Sequence, residues 1–77
     1  MSGILDNMVD ILSQEIGSIT ARASIVMFAE RMGIKKDSIG PEHVGELVKQ
    51  LKPGLFVFVG EKKTEDLAKE MLNLERA

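Results

Sequence analysis

Ile16-Gly-Ser-Ile-Thr-Ala-Arg-Ala-Ser-Ile-Val-Met-Phe-Ala-Glu-Arg-Met-Gly-Ile34 is the stretch on which the fold turns. Gly17 can take the left-handed conformation that ends a preceding helix, and Ser18 can accept a hydrogen bond from an orphan amide and open the next. One continuous helix through Gly17 is the alternative, at a cost of about 1 kcal/mol relative to alanine, and it would need a packing reason. At the far end Arg31 suits the negative helix terminus. Gly33 sits where a left-handed C-terminal residue is wanted, and Ile34 can fold back onto the last turn. Between these signals Ile25 to Ala29 is uninterrupted hydrophobe, while Ala21, Ala23, Ser24 and Ala29 are small enough to admit a neighbouring backbone. The pattern predicts a central helix that buries most of its circumference.

Upstream, Ile4, Leu5, Met8, Val9, Leu12 and Ile16 recur at spacings of three and four, the stripe of an amphipathic first helix. Ser2 is its expected N-cap, Asp6 favours its positive end, and Ile11 widens the apolar face. Downstream, Lys35 to Gly40 is a polar connection and Pro41-Glu42 opens a third helix, with Val44, Leu47, Val48 and Leu51 as its stripe. Pro53-Gly54 is expected to end that helix. Gly45 is a soft spot in it, expected at a close crossing with the second helix.

Leu55, Phe56, Val57, Phe58 and Val59 favour a strand by side-chain type and a helix by their neighbours. A lone strand leaves its backbone groups unpaired. The segment is therefore either a short helical turn or a strand paired with its own copy across a symmetric dimer. From Gly60 the pattern is helical again, with Leu67, Ala68, Met71, Leu72 and Leu74 inward and a Glu65–Lys69 pair at spacing four outside. Asn73 to Ala77 are expected to fray. The fold class is all-α, a small orthogonal bundle of four to five helices forming one domain over residues 1–77. The alternative is a helical domain with one short strand at 55–59.

The chain has 77 residues, no cysteine and a net charge of -2. A domain of this size buries only about 60% of its unfolded surface, and with no disulfide or thiolate metal site to help, self-association is the remaining source of stability. The charge is too small to argue for a polyanionic partner, although residues 1 to 21 carry acids and no base while most bases lie between Arg22 and Lys63. No stretch approaches the length of a membrane span, the first residues lack the pattern expected of a signal peptide, and residue 2 is serine rather than the glycine of a myristoylation signal. The cytoplasm is the expected compartment.

Chemistry-bearing motifs are sparse. His43, between Glu42 and Glu46, is the only imidazole, and a helical metal site needs three or four ligands. It is expected to be a solvent-facing residue of a first helical turn. Gly54 to Thr64 has the glycines and lysine of a phosphate-binding loop at the wrong spacing, and its would-be loop is Leu-Phe-Val-Phe-Val, so Gly60 is expected to be a helix boundary instead. Lys35, Lys36, Lys49, Lys52, Lys62 and Lys63 form the only basic series. The connection between Gly33 and Gly40 is longer than a helix-turn-helix allows, and the third helix exposes Glu42, Glu46 and Gln50.

Ile16-Gly17-Ser18-Ile19-Thr20-Ala21 resembles the Ile-Gly-Pro-Ile-Ala segments that precede an apolar helix in small C-terminal modules of bacterial signalling proteins, including some protein kinases. The resemblance runs from Leu12 to Met32 and departs at Ser18 and Thr20, where those modules carry proline and alanine. It implies a helical interaction module and brings no catalytic residues with it.

The chain is thus expected to be a non-enzymatic module for protein–protein interaction or dimerisation, its partner a second copy or a larger protein, with no cofactor, metal or membrane attachment. Its contact surface is expected at Leu55, Phe56, Val57, Phe58, Val59 and Ile11. The alternative is a small nucleic-acid-binding regulator using the basic middle of the chain. Salt separates the two, since nucleic-acid binding weakens steeply with ionic strength and apolar association does not.

Overall fold

Helix α1, Ile4–Ile16, and helix α2, Ser18–Arg31, meet at Gly17 in the computed structural model, which describes residues 3 to 76 apart from the side chain of Arg76. Gly17 has φ 82 and ψ 155, a backbone region open essentially to glycine alone. Its N–H closes α1 on the Ser13 carbonyl at 3.1 Å, and its carbonyl receives the first amide of α2, from Ala21, at 3.0 Å. The corner is therefore real, but the Ser18 hydroxyl makes no capping bond. Gly3 precedes α1; the expected cap, Ser2, lies outside the described residues.

Helix α2 ends as its sequence demands. Gly33, at φ 78, donates to the Glu30 carbonyl at 3.0 Å and Ile34 donates to the Ala29 carbonyl at 2.9 Å, which together satisfy the last turn. Two short 3-10 turns, Lys36–Ser38 and Pro41–His43, lead into helix α3, Val44–Leu72. Helix α3 turns sharply at Gly60, φ 85 and ψ 170, so that a first arm (44–59) and a second arm (61–72) pack separately. A last 3-10 turn spans Asn73–Arg76. The fold is all-α, and no strand occurs among the described residues. Against an expected four to five helices, three are present among the described residues, the third divided into two helical arms at Gly60, the expected helix boundary.

The two glycine corners repeat one packing plan. Nine and five residues before each glycine, and four and eight after it, the side chains are buried: Met8, Leu12, Ala21 and Ile25 around Gly17, Leu51, Leu55, Thr64 and Ala68 around Gly60. The fifth residue past each glycine forms an ion pair back to the preceding helix, Arg22 with Asp6 at 2.8 Å and Lys52 with Glu65 at 3.0 Å. A third pair, Lys63 with Glu15 at 3.2 Å, ties the corners together and places both at the same end of the molecule.

Four expectations fail for tertiary reasons. Pro53-Gly54 does not end the third helix. Leu51 and Leu55, one turn apart, are both in the core and hold the helix across the proline. Lys49 and Pro53 are exposed, so the carbonyl that loses its amide partner lies on the side reached by water. The segment 55–59 is accordingly helical, the first of its two expected readings, and continues the third helix without a break; it is not a strand. Helix α2 is not wrapped on all sides: only Ala21, Ile25 and Ala29 are buried, because α1 and α3 cover a single face. Gly45 abuts the Glu75 carboxylate rather than α2; a Cβ there would lie 2.6 Å from Glu75 Oε1. Finally, residues 73–76 form the turn that packs on Pro41–His43 instead of fraying, and Ala77 lies outside the described residues.

Candidate interaction surface

Past Leu55 the first arm of α3 outruns the core. Successive helical side chains are rotated by roughly 100°, so Phe56, Val57 and Phe58 cannot all turn inward. They stand 41%, 87% and 71% exposed. Val57 points away from the buried stripe of Val44, Leu47, Val48, Leu51 and Leu55, whereas Phe58 leans beside it. Phe58, Phe28, Ile16, Ser24 and Gly54 frame a shallow hollow of about 50 Å³ floored by Leu51 and Leu55. On the α2 side of the hollow the Arg31 guanidinium lies over the Phe28 ring, 5.6 Å from its centroid.

Not all of the expected surface is surface. Leu55 is a core residue, and Val59 and Ile11 are half-buried against the core, so the exposed part narrows to residues 56–58. The sequence pattern did not single out Ile19, 87% exposed, or the partly exposed Met27. The available signal was their place on the helical wheel. Each lies two residues from a buried alanine of α2, Ala21 and Ala29, and so about 200° around the axis.

The remaining chemistry is structural. His43 is half-buried, and its Nδ1 accepts the Gly40 N–H at 3.1 Å. It fills the place that Glu or Gln takes in a helix-capping box. The Thr64 hydroxyl is buried and donates to the Gly60 carbonyl at 2.7 Å, which removes it from any phosphate-loop role. Two of the six lysines of the basic series are in ion pairs. Of the other four, Lys35 and Lys36 line a cleft beside α2, Lys49 lines one between the arms of α3, and Lys62 is exposed outside both. The cleft of about 540 Å³ beside Lys35 and Lys36 is an open groove, and in a neighbouring one of about 400 Å³ Arg22 already engages Asp6. Among the described residues no three His, Asp or Glu side chains gather as metal ligands, and no helix is long and apolar enough to cross a membrane.

Compared with protein-family models, curated proteins and solved structures, the chain shows no significant match.

Proposed function

We propose that this chain is a non-enzymatic helical interaction module of the cytoplasm whose docking surface is the apolar end of the first arm of α3. The observation that carries this is the exposure of three successive apolar side chains, Phe56, Val57 and Phe58, in the last turn before Gly60. Two aromatic side chains and a valine held in water forgo about 25 cal/mol for each Å² they could bury. They are also held on a rigid helix between a core leucine and a fixed corner, so binding needs little ordering of the segment itself.

A photo-crosslinking amino acid placed at position 57, in the cells that make the protein, tests the proposal. A discrete adduct is expected from position 57 and none from position 70 on the exposed face of the second arm. Absence of any adduct at 57 would end this reading.

A further inference from the structure

We propose that the occupant of this surface is a second copy of the same chain. The copies are related by a two-fold axis beside Val57, which sets Glu61 and Lys62 of each copy against Lys62 and Glu61 of the other. The proposal rests on the interaction reading above and deepens it by naming the partner.

Charge is the first argument. Glu61 and Lys62 follow the apolar end directly, across Gly60, and both are exposed. Neither takes part in an ion pair among the described residues, whereas their neighbour Lys63 is held by Glu15. In a two-fold interface residue i meets j and j meets i, so one adjacent acid and base form two pairs across the axis. A border of a single sign would repel its own copy and call for an oppositely charged partner. This border carries both signs.

Area is the second argument. A stable interface takes about 800 Å² from each partner, roughly 56–58% of it apolar, or about 450 Å² per copy. With about 200 Å² for a whole aromatic side chain and somewhat less for valine, the exposed fractions of Val57 and Phe58 supply roughly 270 Å², and Phe56, about 200° around the helix from Phe58, lies outside this face. Phe28 and Ile16, half-buried beside the hollow, bring the face to at most about 400 Å², close to that figure. On a chain with 4897 Å² of surface the interface would take roughly one-sixth, a scale suited to a domain too small to bury a deep core alone.

Sedimentation equilibrium of the full chain across a hundredfold dilution tests the proposal. The mass is expected to approach twice 8.5 kDa at the concentrated end. Val57→Asp, at a side chain with almost no internal contacts, should leave the helical circular dichroism unchanged and the mass at one chain. Glu61→Lys and Lys62→Glu should each weaken the dimer by about tenfold, and the double exchange should restore it. A wild-type monomer throughout, an undiminished Val57→Asp dimer, or a double exchange no better than the single ones would each overturn the proposal. The mass of the adduct at position 57 separates the two claims. An adduct of two identical chains supports both, one with a different protein overturns the second copy alone, and no adduct overturns the interaction reading as well.

Discussion

Gly17 and Gly60, 43 positions apart, hold the same positive-φ extended conformation, 82 and 155 degrees at one and 85 and 170 at the other. A Cβ at either would meet nothing within 4 Å, so glycine is required there by the backbone alone. Gly54 also has open space around it but lies inside a helix with ordinary φ. The same substitution should therefore act in opposite senses. Gly17→Ala and Gly60→Ala should each cost about 1–3 kcal/mol in urea unfolding, while Gly54→Ala should add about 0.4–1 kcal/mol. A loss of stability at Gly54 would show that an alanine is not accommodated at that turn.

The cap formed by His43 sets a second expectation. Gln can accept the Gly40 N–H from the same place, whereas Ala cannot. His43→Ala should lower stability by about 1 kcal/mol and His43→Gln by clearly less. Equal losses for both variants would mean that the ring's packing, and not its acceptor, matters.

How much of this could be read from the residues alone divides along the range of the forces involved. The corner at Gly17, the closing turn at Gly33-Ile34 and the start at Pro41 depend on a few consecutive residues and are legible. Pro53-Gly54 is a local stop signal overruled by Leu51 and Leu55, whose shared burial depends on α1 and α2 being where they are. The apolar run of α2 reports its composition but not how many neighbours cover it, so Ile19 and Met27 remain in water. Glu65 pairs with Lys52 rather than with Lys69 because Gly60 turns the second arm back on the first, a contact no helical spacing contains. The candidate surface was half visible. Its apolar side chains are obvious in sequence, but which of them face water depends on where the core stops.

Asp6 gives an acid-side expectation. The Arg22 guanidinium hydrogen-bonds its carboxylate and, with a further bond from the Gly3 backbone, holds it below its ordinary value of 3.8. A carboxyl lowered on folding stabilises the fold above that ordinary value, and the contribution is lost as pH falls through the lower folded value. Asp6→Asn should flatten the acid limb of the stability–pH curve without moving its neutral plateau far. Because both partners are exposed, added salt should do the same to the wild type. An unchanged acid limb would mean that the pair does not persist in solution.

Leu55 and Phe58, less than one turn apart, separate core from surface. Leu55 is packed among Leu51, Val48 and the buried faces of α1 and α2, so Leu55→Ala leaves a cavity and should cost about 2–5 kcal/mol. Phe58 touches the hollow on one side only and has most of its ring in water. Phe58→Ala should cost under about 1 kcal/mol in the dilute chain, and Phe58→Asp should still fold, as exposed substitutions generally do. At concentrations where the proposed dimer forms, the order of effect should reverse. The Phe58 variants should then lose association with little loss of helix, whereas Leu55→Ala should lose helix and association together. Circular dichroism and molar mass on the same samples read both quantities. If Phe58→Asp unfolds the dilute chain, the aromatic belongs to the core, and the end of α3 would not be a free surface.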